Sequence, residues 1–512
     1  MKRRSLTRLI VFAALLAAAV LAWRYTGCDV SYFLSRRTHL TDLVTQMFPP
    51  DWSYFSSILR PVLVTLRMAA AGTSLGALLA LFASPLCASV TGYPLWVRVP
   101  LRILVQVLRS FPALILALFA TFLFGLGTFA GTFALTVFTF AILTRLTYED
   151  LEAADTRAFR AMAAIGTPRF LNFFRTLLPE VLPSFLTNAL YLLETNVRHS
   201  AILGYVGAGG IGLLLNEKIS WREYDRVGTI LVILFLVVCF AEWLSGCLTK
   251  LVRGETKCPV RRKRFLCAVL TLAALYSLSA AGLPDFSHTA PRILANMLSG
   301  FLHPDRAFFF GTEETGLLRL LLETVCIAFL GTLFGALPAL LLAFLSCRRI
   351  LPKEPALLFR IFVMLIRSVP FIIYGLIFIR VTGAGAFAGV LTMGMCSIGL
   401  LCKRFTEALE ALDLRAYRAL RCMGTDMVPA VCRAILPQLW PMLASSVLYR
   451  FDVNFREASV LGLVGAGGIG ATLILAMNKY AWNTVGAIFL GIILMVWLID
   501  LISGRLRRRI GR

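Results

Sequence analysis

The sequence predicts an all-α polytopic membrane protein made of two tandem parallel units, each with about six transmembrane helices. Three observations predict it. Of 512 residues 59% are hydrophobic, with a mean hydropathy of +0.81, against about 45–50% apolar residues in an average soluble chain. The excess lies in runs that can cross a hydrocarbon core of roughly 30 Å at about 1.5 Å per helical residue. And the chain repeats: Val206–Gly212, reading VGAGGIG, recurs residue for residue as Val464–Gly470, 258 positions on (464 − 206). Asn196, Arg198, Leu203 and Gly204 recur as Asn454, Arg456, Leu461 and Gly462 at the same spacing, and Arg109–Ser110 as Arg367–Ser368. A period this long marks a duplicated domain, since solenoid repeats run at about 20–50 residues. The units are placed at 1–255 and 256–512.

The first apolar run, Arg8–Trp23, follows Lys2, Arg3 and Arg4 like a signal peptide. Phe265–Leu283 fills the same place in the second copy, where cleavage makes no sense, so both are read as retained helices. Gly27–Leu59 is polar enough for an external segment. Further spans are expected over Pro61–Phe82, Pro100–Phe124, Thr128–Leu146, Phe185–Leu215 and Val227–Leu248. The second copy repeats them over Leu317–Leu345, Ala356–Ile379, Ala384–Leu401, Leu443–Ala476 and Val485–Ile502.

An even number of spans makes the copies parallel, related by a pseudo-two-fold along the membrane normal. Lys/Arg bias sets the orientation. The N-terminus, the joining loop Lys250–Arg264 and the C-terminal Arg505–Arg512 belong in the cytoplasm. Alternation brings the polar stretches Tyr148–Leu182 and Phe405–Trp440 there too. The net charge of +24 sits beside apolar runs, where it sets topology and meets anionic lipid, which argues against a nucleic-acid partner.

Twelve cysteines and four histidines show no metal-ligand spacing; most of the cysteines read as small buried hydrophobes. With no Walker lysine motif and no nucleophile constellation, the expectation is a non-enzyme without cofactor or metal. Gly207-x-Gly209-x-x-Gly212 fits the dinucleotide fingerprint, but that needs a strand before it and an acidic residue about 20 positions on. Here it ends an apolar segment, twice. Gly207, Gly209, Gly210 and Gly212, with Gly465, Gly467, Gly468 and Gly470, are therefore expected to pack helices closely near the two-fold.

The polar stretch reads Arg160–Ala161–Met162–Ala163–Ala164–Ile165–Gly166, then Leu177–Leu178–Pro179; its copy reads Arg418–Ala419–Leu420–Arg421–Cys422–Met423–Gly424, then Ile435–Leu436–Pro437. This resembles the coupling loop of binding-protein-dependent ATP-binding-cassette importers, EAA-x-x-x-G followed by I-x-L-P. Arg160 and Arg418 stand where that motif has Glu, and a literal Glu152–Ala153–Ala154 lies too far upstream. Tyr449–Arg456 running into the glycine motif, and Arg367–Pro370 followed by Gly383–Leu391, resemble the permease of phosphonate importers, which usually has Glu after that proline. Here the residue is Phe371, and Ala113 in the first copy. The resemblance is strong over about Leu320–Arg508 and weaker over about Val62–Lys250.

The resemblance implies a type I ABC importer permease in the bacterial plasma (inner) membrane for phosphonate, phosphite, hypophosphite or phosphate. An ATPase subunit, two copies per chain, would seat on Arg160, Ala161, Gly166 and Pro179 and on Arg418, Ala419, Gly424 and Pro437. A substrate-binding protein would dock outside. Intramembrane charges normally face a cavity or a partner. Arg109, Ser110, Asn196 and Arg198, with Arg367, Ser368, Asn454 and Arg456, are candidates to line an anion path; the alternative pairs the arginines with Glu194, Asp452 or lipid. A secondary transporter of small anions driven by an ion gradient is the competing class, and it predicts coupling carboxylates in mid-span.

Overall fold

A computed structural model describes residues 2–254, 272, 275–277, 279, 290–311 and 316–510. Every regular element among them is helical. Eight helices are long and apolar enough to cross a membrane, four per copy: Trp52–Cys87, Thr128–Ala153, Arg169–Val206 and Tyr224–Val252, then Leu317–Ser346, Ala386–Ala411, Met427–Val464 and Trp482–Arg509. The N-terminal run forms the helix Lys2–Tyr25. Its counterpart Phe265–Leu283 lies mostly outside the described residues.

The third span of each copy differs from expectation. It is a pair of helices, Leu95–Arg109 with Ala113–Phe124 bent by 97°, and Lys353–Ser368 with Phe371–Thr382 bent by 82°. Proline makes the break. Pro112 and Pro370 sit extended at ψ 154° and 145° before each second helix, and the ring disfavours helical backbone in the residue before it. The first member of each pair is amphipathic. Leu95, Trp96, Val99 and Ile103 are exposed while Val105 is buried; likewise Leu357, Leu358, Ile361 and Leu365 are exposed while Val363 is buried. A helix with one apolar face and arginines on the other lies in the membrane interface, not across it.

Within each copy, small residues set the tightest packing. A Cβ on Gly72 or Gly76 would come within 2.6 Å of Leu135 or Thr139, and one on Gly331 or Gly335 within 2.3 and 2.4 Å of Met393 and Ser397. Glycine thus lets the second and fourth spans touch backbone to side chain. Several buried hydroxyls are satisfied along their own helices: Thr136 donates to the Thr132 carbonyl at 2.8 Å and Thr147 to that of Leu143 at 2.7 Å.

The fifth span begins earlier than its apolar run. A π-turn at Phe173–Leu177 leads into Leu178–Leu203, and Val431–Ile435 leads into Leu436–Leu461. The wider turn makes room for Pro179 and Pro437, whose rings would clash with a carbonyl four residues back.

The compact units divide the chain differently from the repeat. One is Thr45–Ala295; the other joins Met1–Val44 to Asn296–Arg512. In the latter, Trp23 packs edge-on against Phe334 at 5.5 Å and the Tyr25 hydroxyl donates to the Arg319 carbonyl at 3.3 Å. In the former, Tyr276 accepts from Arg67, whose guanidinium lies 4.6 Å from the tyrosine ring centroid. By contact, the first helix goes with the second copy.

Candidate functional site: exposed loop helices and a polar helix core

The two polar loops fold alike. Arg157–Ala164 and Arg415–Cys422 are short helices, opened by Asp155 and Asp413, whose carboxylates accept from the amides of Arg157 (3.0 Å) and Arg415 (2.9 Å). The Arg415 amide and guanidinium hold the Asp413 carboxyl below its usual range. Each helix ends at a glycine with positive φ, +81° at Gly166 and +80° at Gly424. The next amides reach back, Thr167 to the Met162 carbonyl at 3.3 Å and Thr425 to that of Leu420 at 3.1 Å. This is a Schellman ending, which needs a left-handed residue. Asn172 anchors the first loop from beneath, donating to the Phe159 carbonyl at 2.9 Å. Arg160, Ala161, Arg418 and Ala419 are exposed, as are Pro179 and Pro437. Beside them Ile165 and Met423 are 77% and 79% exposed. Two apolar tips ringed by arginine are thus left uncovered.

In the membrane, Asn196 is fully buried and donates to the hydroxyls of Thr73 (2.8 Å) and Thr139 (2.7 Å). Asn454 donates to Thr332 (2.7 Å) and Ser397 (2.8 Å). Each asparagine ties the fifth span to the second and fourth. Their donors are thus spent inside one helix bundle. Arg198 pairs with Glu194 at 3.0 Å one turn away, and Arg456 pairs with Asp452, so the ion-pair alternative holds for these arginines. Arg109 and Arg367 lie in the last turns of the two interfacial helices at the proline break, next to Ser110 and Ser368. Those serines donate to the carbonyls of Gln106 (3.0 Å) and Leu365 (2.8 Å).

The glycine motif is a turn as well as a contact. Gly207, Gly209 and Gly210 take φ of +82°, +80° and +78°, and Gly465, Gly467 and Gly468 take +87°, +76° and +78°. The turn is pinned by Thr65 and Thr324, which accept from the amides of Ile211 (2.9 Å) and Ile469 (3.1 Å). Gly212 and Gly470 make the close approach: a Cβ there would sit 2.2 Å from the Ala201 carbonyl oxygen and 2.8 Å from that of Ser459.

Sequence reasoning passed over Arg450, buried and paired with Glu457 at 3.0 Å while its Nε donates to Ser397 at 3.2 Å. Nothing repeats there, so the period could not flag it. It also passed over Arg102–Glu152 and Arg360–Glu410, which pair in their own halves. These do repeat at 258, a signal that could have found them.

A duplicated helical bundle with proline-broken third spans and two exposed loop helices defines a polytopic membrane permease. The family model described as "Binding-protein-dependent transport system inner membrane component" matches residues 72–253 and again 331–512. The chain belongs to this family, and it is a permease of an ABC importer. It is 28% identical over 482 residues, 92% of this chain and 89% of the relative, to the "Phosphate-import permease protein PhnE" of Mycolicibacterium smegmatis. It is 38% identical over 194 residues, 37% of this chain and 70% of the relative, to the "Phosphite transport system permease protein PtxC" of Stutzerimonas stutzeri. A solved chain of the MetNI methionine ABC transporter, 23% identical, covers 38% of this chain and 96% of its own length at a TM-score of 0.35.

Proposed function

We propose that this chain supplies both permease halves of an importer for phosphonate or a related phosphorus oxyanion. The observation that carries this is the match to a phosphate-import permease across both copies, 92% of the chain. Two ATPase subunits seat on the exposed loop helices, one around Gly166 and one around Gly424, and an extracytoplasmic binding protein delivers the anion. Loops, N-terminus and C-terminus lie in the cytoplasm, where the positive-inside rule puts their arginines. ATPase closure rocks the halves between inward and outward access. Arg109 and Arg367 remain the path candidates: a guanidinium fork suits an oxyanion stripped of water.

The test is co-purification with a candidate ATPase subunit. Wild type retains two ATPase subunits per chain. Gly166→Trp/Gly424→Trp, which forces a bulky side chain into left-handed backbone, loses them. A folded wild-type chain that retains none overturns the reading and returns ion-driven transport to the front.

A further inference from the structure

Each half carries one joint at the end of the bundle that bears the exposed loop. In the first half, Arg102 lies on the arginine face of the interfacial helix Leu95–Arg109. Its Nε donates to the Cys87 carbonyl at 2.7 Å, the last residue of the second span, and its Nη2 donates to Glu152. Glu152 is one residue from the end of the fourth span, Thr128–Ala153, and the loop helix begins at Arg157. The same carboxylate oxygen accepts the Ser89 amide and hydroxyl at 3.2 and 2.8 Å. In the second half Arg360 donates through Nε to the Ser346 carbonyl at 2.9 Å and through Nη2 to Glu410. There Arg349 takes the place of the serine contact, donating to the Leu412 carbonyl at 3.2 Å.

One guanidinium thus ties three elements: the end of the second span, the end of the fourth, and the interfacial helix. Only arginine has the planar fork to hold a carbonyl and a carboxylate at once. Both pairs are about a third exposed, and an ion pair so exposed adds little stability. The value of the joint is therefore in position. The interfacial helix it grips ends at Arg109 or Ser368, at the proline break that starts the half-span.

We propose that Arg102–Glu152 and Arg360–Glu410 are positioning pairs that carry movement of the loop helices to the interfacial helices, and so to the broken third spans. The proposal rests on the importer reading. A push on the loop helix reaches the end of the fourth span first. The joint passes it to the interfacial helix, and the break at Pro112 or Pro370 turns it into a tilt of the half-span.

The experiment reconstitutes the permease with its ATPase and binding protein in liposomes and follows ATP hydrolysis together with uptake of inorganic phosphate and of methylphosphonate. Arg102→Gln/Arg360→Gln is expected to retain the ATPase and hydrolyse ATP as wild type does, while uptake per ATP falls roughly ten-fold. Arg102→Lys/Arg360→Lys, which keeps the charge but not the fork, is expected to be impaired as well. Exchanging the partners, Arg102→Glu with Glu152→Arg and Arg360→Glu with Glu410→Arg, should recover part of the loss. Unchanged uptake per ATP in the glutamine variant overturns the joint while leaving the importer intact. Loss of ATPase retention in both the glutamine and lysine variants also overturns it, making the pair a docking element. Failure of wild type to retain ATPase overturns the importer reading and the joint together.

Discussion

In the first half Leu192 and His199 occupy the positions that Arg450 and Glu457 hold in the second. His199 stacks edge-on against Phe138 at 5.0 Å, where the second half has a buried ion pair. At the end opposite the loop the contrast reverses. The first half ties Lys218 to Glu217 (3.2 Å) and Glu223 (3.1 Å), and Arg226 to Glu223 (2.7 Å) and Asp51 (3.5 Å), around the ring of Tyr54. Leu475, Ala476, Ala481 and Thr484 stand at the positions of Glu217, Lys218, Glu223 and Arg226 in the second. What the halves share is the asparagine–hydroxyl clamp, the glycine turn and the arginine joint. They also share the fifth-span ion pairs Arg198–Glu194 and Arg456–Asp452. The Arg450–Glu457 pair and the Lys218 cluster are the charges particular to one half.

The largest expected effect tests the deep pair. Arg450→Leu leaves the partly buried Glu457 without its cation and should cost about 3 kcal/mol. Arg450→Leu/Glu457→His, which copies the first half, should recover most of it; thermal unfolding in detergent reads both. If the double variant stays as unstable as the single one, the halves are not interchangeable at this site. A smaller effect is expected at the clamp. Asn196→Leu and Asn454→Leu should each cost about 1–3 kcal/mol, the penalty of a buried hydrogen bond left unmade. Only Asn454 shares its Ser397 partner with Arg450, so a double-mutant cycle between these two should show coupling of at least about 0.5 kcal/mol. The matching cycle of Asn196 with Leu192 should be additive.

The smallest effect is on the rim cluster. Lys218 holds the Glu223 carboxyl below its usual range, and the Ser53 hydroxyl does so for Asp51. A carboxyl depressed on folding stabilises above its unfolded pKa and loses that contribution as pH falls through the folded value. Protease resistance of the segment around Asp51 should therefore hold at neutral pH and weaken on acidification below the ordinary carboxylate range of about 4. Lys218→Met should flatten that dependence.

The duplication, the loop helices and most of the spans were legible because each leaves a periodic or repeated mark. Three features were not, for separate reasons. The run Pro100–Phe124 is mostly apolar, so hydropathy reads one span where Pro112 makes two helices. The hydroxyl partners of Asn196 and Asn454 were not, because a sequence shows a polar residue in a span without showing which neighbours it meets. The placing of the first helix on the second copy has no sequence signal, because a repeat states which segments are alike and not which ones touch.

That placing bears on how the protein is made. Tyr25 meets Arg319, 294 residues later. At a synthesis rate of about 5–20 residues per second, the first helix to enter the membrane waits roughly 15–60 s for its partner to emerge. Throughout that interval its contact residues Ala22 and Trp23 have only lipid or the insertion machinery as a neighbour. Biogenesis of this chain is thus a matter of holding its beginning until its second half arrives.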